Sequence, residues 1–136
     1  MEDRRILVDT TVLIDFLRKK NKNKSLLWRL KEEYKYIAIS VISVFELFAG
    51  ATDTKKEEEV RILLKWFDII DLCEEIAETC GKTFIQLRKN YQIIDFRDLF
   101  IGISALYYDL DLITLNIEHF ERIPDLKLIK KSKFIF

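Results

Sequence analysis

Four polar residues, Asp9, Glu46, Asp98 and Asn116, stand far apart in the chain, each at the edge of or within an apolar run: ILVDTTVLIDFL, SVISVFELFAG, DLFIGISAL and DLITLN. If these runs are strands and adjoining helix starts of one open parallel sheet, the four residues meet at its carboxyl-end edge, where such folds place their sites. Carboxylates gathered there repel one another unless a cation joins them. An all-oxygen donor set suits Mg2+ or Mn2+, and a metal site of this kind serves phosphate chemistry.

Each residue alone has a plainer explanation. Asp9 could cap a helix or answer its dipole, a role worth about 1 kcal/mol. Ser43-x-x-Glu46 has the spacing of a capping box, in which the glutamate bonds back to the Ser43 amide. Asp95 and Asp98 repeat that spacing, so Asp98 could be a first-turn acid favoured by the dipole. Their joint placement argues for a site, because independent caps need not point at one cavity.

Composition excludes several classes. A chain of 136 residues with 49% hydrophobic side chains is read as one domain, residues 1–136. Three glycines and a single proline leave no flexible linker, and neither a Walker loop nor a dinucleotide fingerprint is present. The N-terminal MEDRRILVDTT meets a charge too soon for a signal peptide or membrane span, so a cytoplasmic location is expected. Cys73 and Cys80 fit reduced thiols; with no C-x-x-C spacing and one histidine, His119, no zinc site is expected, and a two-histidine acid–base scheme is excluded. Formal charge is zero, with 23 basic and 23 acidic residues, so no global polycation attracts nucleic acid. Local clusters at Arg18, Lys19, Lys20, Lys22 and Lys24 and at Lys127, Lys130, Lys131 and Lys133 could track a phosphate backbone or be solvated faces.

The elements that must position these residues follow from periodicity. Strands are expected at 6–8, 36–39, 69–70, 112–115 and 126–129. Helices are expected from Thr10 or Thr11 to about residue 19, over 24–34, from Ser40 or Ser43 to Gly50, over 55–66 and 73–90, and behind Asp95 over 99–107. Glu46 and Asp98 would both sit in the first turns of their helices. Short strands alternating with helices imply right-handed parallel crossovers, hence a three-layer α/β/α sandwich around a parallel sheet of about five strands.

The four motifs together resemble those of the PIN-domain ribonucleases, specifically the VapC-type toxins of toxin–antitoxin pairs. LVDTTVLIDFL from Leu7, SVISVFELFAG ending at Gly50, DLFIGISAL from Asp98 and LITLNIEHFERIP ending at Pro124 occur in the family's order over nearly the whole chain. The resemblance implies a PIN-like fold and a metal-dependent endoribonuclease, with Asp9, Glu46 and Asp98 holding Mg2+, Mn2+ being a plausible substitute. Asn116 falls on the family's fourth acidic position; its carbonyl can coordinate but adds no charge, which counts against a second ion more than against activity. Thr10 and Thr114 are expected to orient carboxylates or water, or else to cap and pack. Asp15 is expected to be solvated or paired with Lys19. The implied substrate is single-stranded or looped RNA. A small antitoxin covering the groove and a homodimer are the implied protein partners, with Trp28, Phe45, Phe48, Trp66 and Phe67 as candidates for those surfaces or for the core.

His119 is assigned a local packing or hydrogen-bonding role, and Arg88 and Arg97 either RNA contact or an ordinary helix surface. The alternative of another class is a non-catalytic PIN-like module that binds RNA or protein, which substituted carboxylates would favour. A receiver-like phosphoacceptor wants an adjacent acidic pair after the first strand, and a dehalogenase-type phosphatase wants an acid where Thr11 stands.

Overall fold

The computed structural model describes residues 4–130. Lys131 and Lys133 of the second basic cluster, and Met1 to Asp3 of the N-terminal segment, lie outside that range.

Five strands, β1 (Arg5–Val8), β2 (Tyr36–Ser40), β3 (Asp68–Ile70), β4 (Asp111–Ile113) and β5 (Leu128–Ile129), form one sheet in the order β3-β2-β1-β4-β5. Every pairing is parallel, with Leu7 opposite Ala38 on one side and Leu112 on the other. The helices are α1 (Thr10–Arg18), α2 (Leu26–Glu33), α3 (Val41–Ala49), α4 (Thr54–Leu64), α5 (Glu74–Lys89), α6 (Phe96–Tyr107) and α7 (Ile117–Phe120), with a single 3-10 turn over Lys22–Lys24.

Alternation within each strand divides the core in two. Ile6, Val8, Ile37, Ile39 and Ile113 face a cluster shared with Val12, Leu13, Leu27, Leu30 and Leu63 of the first four helices. Leu7, Ala38 and Leu112 face the other, with Ile76, Cys80, Leu99, Ile103 and Phe120 of α5, α6 and α7. Burying each large apolar side chain contributes about 1.5–3 kcal/mol, so both faces demand helices and the sandwich is the result.

From β1 the chain winds through β2 to β3, then crosses to lay β4 on the opposite flank of β1. This reversal opens a crevice at the carboxyl ends of β1 and β4. Asp9 and Thr114 follow those strands directly, and the Asp9 amide donates to the Ile113 carbonyl at 3.0 Å.

Helix starts differ in detail from the sequence expectation. The residue ahead of α1 is Asp9, not a threonine, yet its side chain makes no capping bond. Ser40 caps α3 by accepting from the Ile42 amide, so Ser43 lies inside the helix and the capping box with Glu46 does not form. Glu46 consequently sits in the second turn of α3, whereas Asp98 is in the first turn of α6 as expected. Lys22 donates to the Phe16 and Leu17 carbonyls at 2.7 Å each, closing the end of α1, and Lys19 pairs with Asp15 at 3.6 Å. Those lysines of the first basic cluster serve the helix end, where cations answer its dipole.

Candidate functional site

Asp9 is 2% exposed, and both of its side-chain hydrogen bonds fall on Oδ2: Thr11 and Thr114 donate their hydroxyls at 2.7 Å. Thr11 Oγ1 also accepts from the Leu115 amide, and Thr114 Oγ1 from the Asn116 amide. Two threonines therefore tie the carboxylate after β1 to the segment after β4. The expected orienting role of Thr114 holds, and Thr11 was missed although the Thr10–Thr11 doublet beside an aspartate was the signal available.

Thr10 reaches the other way. Its hydroxyl donates to Glu46 Oε1 at 2.7 Å and lies 2.7 Å from the Ser43 hydroxyl, fixing the second turn of α3 against the start of α1. Asp98 Oδ2 lies 3.0 Å from His119 Nδ1. That contact agrees with the local hydrogen-bonding role expected of His119, whose side chain is half exposed and faces an acid of the site. One short helix, α7, carries it there; Asn116 immediately precedes that helix and is exposed.

Arg97 completes the group. Its Nε and Nη2 donate to the two Asp95 oxygens at 3.0 Å each, while its Nη1 stands 4.0 Å from Glu46 Oε2. Asp95 also caps α6 by accepting from the Arg97 amide.

Glu46 and Asp98 both sense the charge of Asp9. Burial first, then the charges of Asp9 and Asp98, hold the Glu46 carboxyl above its ordinary range, against the pull of the Thr10 hydrogen bond and of Arg97. Burial likewise raises the Asp98 carboxyl, and Asp9 adds to it, while His119 opposes. Like charges held together at a partly desolvated edge are what a cation relieves. In each acid one oxygen is engaged by a neighbouring side chain, Asp9 Oδ2, Glu46 Oε1 and Asp98 Oδ2, and the other accepts no hydrogen bond from the described residues. Their free donors are all oxygens, the kind a hard divalent ion takes, but no group of three or more His, Cys, Asp or Glu side chains among the described residues is arranged to hold a metal ion.

Of the aromatic candidates for partner surfaces, Phe45 is 61% exposed beside Glu46, whereas Phe67 is buried. Trp28, Phe48 and Trp66 pack half-buried against the first core. No helix among the described residues is long and apolar enough to cross a membrane.

A parallel sheet with acids gathered at its switch point belongs to the open α/β folds that bind their ligands at that crevice. The family model of the PIN domain matches residues 6–126, and the chain belongs to that family. It is 36% identical over 127 residues to Ribonuclease VapC1 of Methanocaldococcus jannaschii, covering 93% of this chain and 87% of that protein. It is 34% identical over 124 residues to Ribonuclease VapC19 of Mycobacterium tuberculosis, covering 89% and 96%. Among solved structures it is similar to VapBC2 from Rickettsia felis bound to a DNA fragment from its promoter, with TM-score 0.76, 28% identity and coverage of 91% and 96%. It is also similar to VapBC-1 from nontypeable Haemophilus influenzae, with TM-score 0.79, 25% identity and coverage of 93% and 98%.

Proposed function

We propose that this protein is a metal-dependent endoribonuclease and the toxin of a VapBC-type toxin–antitoxin pair. The observation that carries the reading is the gathering of Asp9, Glu46 and Asp98 at the switch-point crevice, where the Glu46 carboxyl faces the charges of both aspartates and one oxygen of each acid accepts no hydrogen bond from the described residues. Relatives named VapC ribonucleases support RNA as the substrate, and solved VapBC assemblies support a small antitoxin partner.

Asp9, Glu46 and Asp98 would hold Mg2+ or Mn2+, with the Asn116 carbonyl as a further oxygen donor. When bound, the ion supplies Lewis acidity that lowers the pKa of water and offsets charge on the phosphodiester. The chain's own contribution is positional. Thr11 and Thr114 fix the Asp9 carboxylate, Thr10 fixes that of Glu46, and His119 that of Asp98, so the oxygens are set before substrate arrives. A crevice at the sheet edge suits single-stranded or looped RNA, whose bases can be splayed from the backbone. The protein acts in the cytoplasm as a homodimer on this reading. A non-catalytic RNA- or protein-binding module ranks second, because all three acids are present.

The test is cleavage of fluorescent single-stranded RNA by purified protein in Mg2+ or Mn2+ against EDTA, beside Asp9→Ala and Asp98→Asn. Cleavage should require the ion and disappear in both variants while each stays folded. An Asp98→Asn protein that cuts at the parental rate would sink the metal-site assignment. Expression alone should slow growth, and the small protein encoded beside it should relieve this; toxicity unchanged by Asp9→Ala would exclude a nuclease cause.

A further inference from the structure

The geometry points to Arg97 as the residue that grips an RNA phosphate at this site, with Asp95 as the residue that aims it; the inference rests on the nuclease reading above. A guanidinium carries five N–H donors in a rigid plane, and a carboxylate can take two of them along one edge. Asp95 takes that edge here, at 3.0 Å on both contacts. The opposite side of the group is thereby turned toward the crevice, with Nη1 at 4.0 Å from Glu46 Oε2, too far for a hydrogen bond. Among the described residues no acceptor takes the Nη1 hydrogens. They have the spacing and charge that a phosphate oxygen wants.

Placement supports the assignment. Arg97 immediately precedes Asp98 in the first turn of α6, and Asp95 is at once the cap of that helix and the anchor of the guanidinium. The cation is therefore fixed to the element that supplies one of the acids, rather than to a loop that moves independently. Its side chain is 42% exposed, so a ligand can reach it. The exposed Phe96 ring lies 5.9 Å from the Arg97 guanidinium carbon, giving an adjoining base a face to stack on. An ordinary surface ion pair would account for the Asp95 contact alone. It would not predict any dependence of RNA affinity on the guanidinium.

The experiment measures binding of a fluorescein-labelled single-stranded RNA of mixed sequence by anisotropy, over a range of salt, with Asp98→Asn as the parent so that cleavage does not intervene. Arg97→Ala in that background should weaken binding about tenfold to a hundredfold, the loss expected of a charged hydrogen-bonded contact. The slope of log affinity against log salt should fall by about 0.7, the share of one phosphate on a single strand. Arg97→Lys should recover the slope but not the full affinity, because it restores the charge without the fork. Asp95→Asn keeps a good helix cap and should lie between parent and Arg97→Ala. In the otherwise native protein, Arg97→Ala should raise KM more than it lowers kcat and leave Mn2+ binding in place. Unchanged affinity and salt slope in Arg97→Ala, with its melting temperature intact, would overturn the inference and leave the nuclease reading standing. Cleavage by Asp98→Asn itself would instead overturn the reading on which it rests.

Discussion

Thr10 Oγ1 lies 2.7 Å from Glu46 Oε1, so the residue next to one acid of the site holds the carboxylate of another across 36 positions of sequence. The same hydroxyl lies 2.7 Å from Ser43 Oγ, which is fully buried. Thr10→Val keeps the shape and deletes the hydroxyl, leaving Ser43 and Glu46 short of a partner. The expected cost is about 1–3 kcal/mol of stability, read by urea denaturation. Mn2+ affinity should fall about tenfold to a hundredfold, and Thr10→Ser should recover most of it. Parental Mn2+ binding by Thr10→Val would remove Thr10 from the metal-orienting group.

Metal should act as a stabiliser whose effect depends on Glu46. A carboxyl whose folded pKa is raised binds its proton more tightly in the fold than in the unfolded chain. It therefore contributes stability at low pH that is lost as pH rises from the ordinary carboxylate range through the raised value. Of the charges that act on Glu46, those of Asp9 and Asp98 raise its carboxyl and that of Arg97 lowers it, and Arg18, Lys56 and Glu59 line the same cavity. Metal-free Glu46→Gln should accordingly melt above metal-free parent at neutral pH, and the difference should close as pH falls toward about 4. Mg2+ at about a hundred times its dissociation constant adds about 2.7 kcal/mol to the parent. Scanning calorimetry should find that gain in the parent and little of it in Glu46→Gln. Equal gains in both would place the ion elsewhere.

The sheet was legible in the sequence because its strands are short apolar runs, and Asp9 and Asn116 stood out because they come just after β1 and β4. The apolar run of residues 6–8 reads as a buried strand, and Ile6, Leu7 and Val8 are all fully buried. Less legible was whatever depends on angle rather than order. Ser40 and Ser43 are both plausible caps one turn apart; the end of β2 at Ser40 decides between them, and that moves Glu46 into a second turn. The Asp98–His119 contact joins two motifs through the α6–α7 packing, and 21 residues separate them. A single histidine beside a phenylalanine carries no periodic signal for it. Arg97 was noticed as a candidate, but its aim comes from Asp95, whose capping role alone was foreseen.

Gly81 offers a change in stability that should leave the site alone. It lies in the middle of α5, exposed, and a Cβ built there meets nothing within 4 Å. Gly81→Ala should therefore stabilise the protein by about 0.5–1 kcal/mol through the lower backbone entropy of the unfolded chain. Gly102 in α6 is the contrast, since a Cβ there would collide with Ile123 Cδ1. Helix propensity favours Gly102→Ala as well, but displacement of a buried isoleucine offsets the gain. Denaturation curves should rank Gly81→Ala above the parent and above Gly102→Ala. A gain at Gly102 equal to that at Gly81 would mean that Ile123 moves aside at no cost.

Cys80 makes the alkaline limb of the stability curve diagnostic. Its thiol is buried under α6, donates to the Leu99 carbonyl at 3.8 Å, and is pushed up to about 11 by burial. As an acid with a raised folded pKa, it stays neutral in the fold while the unfolded chain begins to ionise near the ordinary thiol value of 9.0. Its contribution is thus fully present below that value and is lost as pH climbs from there toward about 11. While only the unfolded state is ionised, the loss runs at about 1.4 kcal/mol per pH unit. Cys80→Ala removes this dependence and leaves a small cavity, so it should be less stable than the parent at neutral pH. The gap between the two should narrow through the alkaline window, because ionisation of Cys80 stabilises the unfolded chain of the parent alone. Urea denaturation at about pH 8 and about pH 10 measures it. A gap that stays constant between them would mean that Cys80 ionises as readily in the fold as outside it, which a thiol packed against Leu99 should not do.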